Sequence, residues 1–221
     1  MIFDYLKKLE RKPQVILPKD AAIIINYCPI TKESIVIDAG SGSGYFAIMA
    51  GMVAKKVISY EIKEEFAKIA KKNIEKLNID NVEIIIRDVI RDGFEEERFA
   101  KEKVDVVFLD LPNSHLAIKH AIAVLKESGV IVGYFPNIEQ LKEFVLKAKE
   151  FGWEKNYCVE IIERKILVRE IGCRPENIGL MHSGYLAFIE KGEEVLTKIQ
   201  KKRKKKIKKA LLKIKNAEGG I

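Results

Sequence analysis

The chain has 221 residues, 48% hydrophobic and 33% charged, enough for one sizeable α/β domain with its own core and too polar for a membrane protein. Cys28, Cys158 and Cys173 are scattered and without CxxC spacing, which excludes a disulfide framework or a zinc site and fits a reducing cytoplasm. The formal charge of +8 is local: residues 198–221 hold eleven of the 40 Lys+Arg and one of the 32 Asp+Glu, so that segment carries +10 and the remainder −2.

In chain order, residues 1–12 are expected to form a short amphipathic helix with Ile2, Phe3, Leu6 and Leu9 on one side. The run Gln14 to Asp20 (QVILPKD) reads as strand-like and broken by proline, leading into an apolar helix from Ala21 to about Cys28 with Asp20 as N-cap. Residues 35–44 (IVIDAGSGSG) pass from a β-branched strand to an acidic residue and glycines at 40, 42 and 44. A buried helix, Tyr45 to Ala54, then Lys56 to Glu61 as strand, Lys63 to Leu77 as helix and Val82 to Ile86 as strand complete the first half. The second half reads as strand Val104 to Leu109 ending at Asp110 and a proline turn, helix Leu116 to Lys126, strand Gly129 to Tyr134 and helix Ile138 to Phe151. Antiparallel closing strands are expected at 156–162, 165–170 and 184–189. Strand–helix alternation at this spacing predicts a doubly wound, mostly parallel seven-stranded sheet of Rossmann-like type over residues 1–196, with 1–30 as an N-terminal helical segment and 197–221 as a lysine-rich tail. No apolar run reaches the roughly 20 residues of a membrane span and the N-terminus lacks a signal-type core, so a soluble cytoplasmic protein is expected. Lysine, glutamate and isoleucine enrichment is compatible with a thermophilic source.

A strand, a glycine loop and a helix N-terminus together bring backbone N–H groups to a nucleoside-bearing ligand. Glu61, about 20 residues after the first glycine, is placed to accept from ribose hydroxyls. A dinucleotide and S-adenosylmethionine both fit that pair. Tyr45 and Phe46 follow where a dinucleotide loop needs small residues, which favours S-adenosylmethionine. The pattern also puts Asp38, Glu61, Asp88 and Asp110 at the carboxyl ends of four successive strands. Singly each is ordinarily a turn-former or helix cap, but four on one edge mark a ligand crevice, with Glu61 at the ribose, Asp88 near the adenine amino group and Asp110 facing the substrate.

These residues carry a resemblance. QVILPKD before the first helix, DAGSGSG at 38–44, SYEI at 59–62 with Phe66 on the next helix, DLP at 110–112, FPNIEQ at 135–140 and, most narrowly, HSGYL at 182–186 resemble the tRNA adenine-N1 methyltransferases. The chain departs from that pattern in having few residues before QVILPKD, where the family has a β-rich domain, in Ser114 and His115 after the DLP turn, and in the lysine tail. The resemblance implies S-adenosylmethionine held by Gln14, Asp38, Gly40, Ser41, Gly42, Ser43, Gly44, Glu61, Phe66 and Asp88, and no metal. It also implies a catalytic Asp110, and acceptor contacts from Pro112, His115, His182 and Tyr185, although Tyr185 also suits a core and His182 a structural hydrogen bond. tRNA as partner, with the basic tail on its phosphates, and a homo-oligomer, dimer or tetramer, are further implications.

Overall fold

Every residue of the strand β1, Ile35–Ala39, is buried, so this stretch has a protein layer on both faces, as its uninterrupted apolar run requires. The structure, a computed structural model, describes residues 6–12, 15–28, 30–177 and 182–192. The remaining strands are β2 (Lys56–Glu61), β3 (Val82–Ile86), β4 (Val104–Leu109), β5 (Leu125–Phe135), β6 (Lys155–Glu160), β7 (Ile166–Arg169), β8 (Gly172–Pro175) and β9 (Tyr185–Glu190). The helices are α1 (Pro18–Tyr27), α2 (Tyr45–Gly51), α3 (Glu64–Lys76), α4 (Val89–Asp92), α5 (Ile118–Val124) and α6 (Ile138–Glu150).

Seven strands form one sheet in the order β3-β2-β1-β4-β5-β9-β6. The first five pair in parallel, and β9 runs antiparallel between β5 and β6. One face packs Val36, Phe46, Ala70, Phe108 and Val132 with α1, α2, α3 and the chain around Leu6, Leu9 and Ile16. The other packs Ile37, Tyr60, Leu109, Ile131 and Phe144 under α5 and α6. Each large side chain so buried stabilises the fold by about 1.5–3 kcal/mol relative to exposure. From β1 the chain builds outward to β3 on one side and restarts with β4 on the other. That reversal opens a crevice at the carboxyl ends of β1 and β4.

The expected architecture is present, with local corrections. Of the expected N-terminal helix, Leu6 is helical and 7–12 are turn and irregular chain, while residues 1–5 lie outside the described residues. The run from Val15 to Asp20 is no strand: α1 starts at Pro18, a residue suited to a first helical turn, and its N-cap is Leu17. Asp20 lies inside that turn, fully buried, and caps nothing. A short 3-10 turn, Ser114–Ala117, precedes α5, which ends early because β5 begins at Leu125. The segment expected as a closing strand near 165–170 pairs with β8, which the alternation pattern does not announce, in a separate two-stranded hairpin. Among the described residues no helix is long and apolar enough to cross a membrane.

Candidate active site

The glycine loop turns through backbone that side chains disfavour: Gly40, Gly42 and Gly44 have φ of +100°, +53° and +82°. At Gly40 a Cβ would lie 2.1 Å from the Asp110 carbonyl oxygen, so glycine there is what lets β1 and β4 close on one another. The loop is anchored to β2: the Gly40 and Ser41 amides donate to the Tyr60 carbonyl at 2.9 and 3.1 Å. Glu61 Oε2 accepts from the Gly42 amide at 2.8 Å and its Oε1 from Lys63 N at 3.0 Å. Each carboxylate oxygen keeps a second lone pair for a ligand hydroxyl. The loop, Val15, Ile16, Tyr45, Phe46, Phe108 and Asp110 line a narrow cleft.

Two acids in this crevice are held partly protonated. Asp38, 1% exposed, accepts from Ser59 Oγ at 2.6 Å through Oδ2, while its Oδ1 has no hydrogen-bond partner. Burial pushes its carboxyl up to about 7, the Ser59 hydroxyl opposing and the charges of Asp110 and Glu61 adding to the rise. Asp110 is raised to about 7 as well, first by loss of hydration and then by the Glu61 charge. Ser59 is in turn linked to the loop, its Oγ 2.5 Å from that of Ser41. A buried oxygen without a donor, beside glycines that leave room for a ligand, fits a cationic nucleoside such as S-adenosylmethionine.

The other expected residues are distributed as follows. Phe66, half-buried in the first turn of α3, lies under the Lys63 ammonium, 5.0 Å from its ring centre. Asp88 is a helix cap, its Oδ1 accepting from the amides of Ile90 and Arg91 at 3.0 and 3.1 Å, which leaves Oδ2 for another donor. Pro112 is exposed in the turn after Asp110, ahead of Asn113 at φ +56°. His115 sits apart from the cleft, in a groove against α6, with Nε2 3.5 Å from Glu143. His182 Nδ1 and Glu160 Oε1 are 2.6 Å apart, a bond that raises the imidazole pKa, and the His182 and Tyr185 ring centres are 4.7 Å apart. Because β9 runs antiparallel, both stand at the crevice rim, but Tyr185 packs into the α5–α6 face, opposite to Asp110. Gln14 lies outside the described residues, as does the lysine tail.

Several site residues escaped the sequence. Tyr134 follows the register pair Leu109 and Gly133 by one residue, which sets it beside Asp110 on the same face. Strand alternation through Val130, Val132 and Tyr134 carries that signal. Asn73 on α3 is 1% exposed: its Oδ1 accepts from Glu10 N, and its Nδ2 donates to the carbonyls of Glu10 and Ser43, all at 2.9 Å. It straps residues 6–12 to the glycine loop, with Tyr45 Oη donating to the Leu6 carbonyl at 2.9 Å. No cluster of three or more His, Cys, Asp or Glu able to hold a metal occurs among the described residues.

Strand order, glycine loop and carboxylate rim together define a Rossmann-like domain of the S-adenosylmethionine-dependent methyltransferases. It is similar to an S-adenosylmethionine-dependent O-methyltransferase from Thermotoga maritima, with TM-score 0.79 and 27% identity over 89% of this chain and 73% of that one. It is also similar to tRNA (m1A58) methyltransferase TrmI from Aquifex aeolicus, with TM-score 0.77 and 28% identity over 87% and 75%. The family model described as the tRNA methyltransferase complex GCD14 subunit matches residues 5–218, and the chain belongs to that family of tRNA adenine-N1 methyltransferases. Over 91% of its length the chain is 35% identical to tRNA (adenine(57)-N(1)/adenine(58)-N(1))-methyltransferase TrmI from Methanocaldococcus jannaschii, spanning 80% of that protein. It is 34% identical to the tRNA (adenine(58)-N(1))-methyltransferase catalytic subunit TRM61 of Candida albicans, of which it spans 62%. The family read from the DLP turn and the HSGYL segment is the one found.

Proposed function

We propose that this chain is an S-adenosylmethionine-dependent methyltransferase that methylates N1 of adenine in the T-loop of tRNA. The observation that carries the proposal is Asp110 standing across the crevice from the glycine loop, its backbone locked to β1 through Asp110 N and the Ala39 carbonyl at 2.9 Å. When bound, S-adenosylmethionine supplies an electrophilic methyl group on a sulfonium. The side-chain-free glycines of the loop leave room for the nucleoside end to lie against its backbone, Glu61 accepts from the ribose hydroxyls, and the unpartnered Asp38 Oδ1 is available to the cationic part of the ligand. Phe66 and the free Asp88 oxygen border the adenine. Asp110 accepts from the exocyclic amine of the target base, which raises electron density at N1 and balances the positive charge that the base takes on. N1 has its own lone pair, so the remaining requirements are proximity, orientation and exclusion of water. The target adenine leaves its stack to reach the rim, where Pro112, His182 and Tyr185 stand and His115 lies beyond in the α6 groove.

Incubation with labelled S-adenosylmethionine and unmodified tRNA, followed by digestion to nucleosides, is expected to give 1-methyladenosine in the wild type and none in Asp110→Ala. Label in another product, or undiminished turnover by Asp110→Ala, overturns the proposal. The lysine-rich segment 197–221 is proposed to lie on tRNA phosphates: truncation after Lys191 is expected to flatten the salt dependence of RNA binding by about one log unit of slope for each phosphate no longer neutralised, and an unchanged slope refutes it. A homo-oligomer is proposed in addition, for which the exposed Val168 and Ile171 of the β7–β8 hairpin offer apolar surface. A monomeric mass by light scattering refutes that.

A further inference from the structure

Lys19 and Asp20 form an ion pair at 2.7 Å with side chains 10% and 0% exposed. Removing two charges from water costs several kcal/mol per ion before their attraction is counted, and an apolar pair of the same volume is often as stable. Stability alone does not explain the pair. Its connections do: the Lys19 ammonium also donates to the Ile161 carbonyl and to Ser183 Oγ, both at 2.6 Å, and Ser183 Oγ donates to Asp20 Oδ2 at 2.8 Å. Three distant stretches, the first turn of α1, the chain after β6 and the chain leading into β9, are thereby joined at one point beside the crevice.

That point adjoins the ring of Tyr134. A Cβ at Gly184 would lie 2.5 Å from Tyr134 Cζ and 2.8 Å from its hydroxyl, so the phenol tip rests on the Gly184 backbone, immediately after Ser183. The Tyr134 hydroxyl thus lies next to the Ser183–Asp20 cluster and feels the charges of Asp20 and Asp110; burial raises its pKa to about 12, which keeps it neutral. We infer that Lys19, Asp20 and Ser183 are positioning residues for methyl transfer, fixing the Tyr134 phenol beside Asp110 as the wall against which the acceptor base is aligned. The inference rests on the reading that Asp110 faces the acceptor.

The test is a double-mutant cycle in the full chain with tRNA and S-adenosylmethionine, reading kcat, KM for tRNA, cofactor Kd and melting temperature. Ser183→Ala and Tyr134→Phe are each expected to lower kcat about tenfold with cofactor Kd unchanged, the double variant to be no slower than Tyr134→Phe, and Ser183→Thr to restore turnover. Wild-type kcat in Ser183→Ala, or losses that multiply to about a hundredfold in the double variant, overturn the inference. A fall in melting temperature without a fall in kcat does the same, because it leaves the cluster purely structural. Asp110→Ala is run in parallel: full turnover there overturns the acceptor-site reading and this inference with it. Loss of turnover there combined with wild-type kcat in Ser183→Ala overturns the inference alone.

Discussion

Proton linkage at the crevice is the most direct consequence of its electrostatics. Asp38 and Asp110 are both raised from 3.8 to about 7, and no hydrogen bond reaches Asp38 Oδ1. A carboxyl with that pKa is about nine-tenths protonated at pH 6 and about one-tenth at pH 8, so a cationic ligand that requires the anion binds about tenfold tighter per group at the higher pH. Asp38 is the group assigned to the cofactor cation, so one such step is expected, and binding below pH 7 releases protons. Titration calorimetry with S-adenosylmethionine at pH 6, 7 and 8, in buffers of different ionisation heat, reads both quantities. Asp38→Asn, which keeps the shape and loses the charge, is expected to remove that tenfold step. A Kd that does not change between pH 6 and 8, with no proton released, refutes this account of the site. Ligand-free stability moves in the opposite sense: each raised carboxyl holds its proton longer in the fold than in the unfolded chain. The native state therefore binds more protons between about pH 4 and 7, and stability falls as pH rises through that window, then levels off.

Gly40→Ala sets a Cβ 2.1 Å from a backbone oxygen at φ +100°; a loss of at least about 3 kcal/mol and of cofactor binding is expected, and unaltered melting and binding contradict it. Glu61→Ala leaves the Gly42 and Lys63 amides without their acceptor, lowering stability by about 1–3 kcal/mol and cofactor affinity by at least about tenfold, as calorimetry reads. Asn73→Ala removes three hydrogen bonds of 2.9 Å and strands the Ser43 carbonyl. Urea unfolding is expected to show a cost of about 2–4 kcal/mol, and a midpoint within error of wild type speaks against the strap.

The centre of the parallel sheet was legible because β1, β2 and β4 are largely buried apolar strands that end in punctuation marks: Asp38 with its glycines, Glu61, and Asp110 with Pro112. The ends of the chain were less so, since what they do is set by distant contacts. In Val15 to Asp20, β-branched residues suggested a strand, but no neighbouring strand is there to pair with, and Pro18 starts a helix instead. Asp20 has a cap's composition and a buried ion pair's surroundings, and only the position of Ser183, 163 residues later, distinguishes the two. Asp88, expected at the adenine, shows the converse: its Oδ1 caps α4. His115 was expected among the acceptor contacts, whereas beyond the left-handed Asn113 it lies against α6. Tyr134 reads in sequence as one more apolar strand residue; register alone sets it beside Asp110.

The crevice is expensive as built. Two carboxyls with raised pKa and an unpartnered oxygen oppose folding, and the surrounding layers offset that cost through the fully buried side chains of β1, β4 and β5. The placement follows from topology: parallel strands present all their carboxyl ends on one edge, so residues that end β1, β2, β3 and β4 are neighbours however far apart in sequence. Stability withheld there is returned when a ligand cation takes up the charge, by RT ln(1 + [L]/Kd) for a ligand that binds only the folded chain. On the proposed function, folding is thereby coupled to cofactor binding through Asp38 and to acceptor binding through Asp110. On that proposal, the protonated-to-charged change at Asp110, which weakens the empty fold, prepares the anion that a methylated, positively charged base requires.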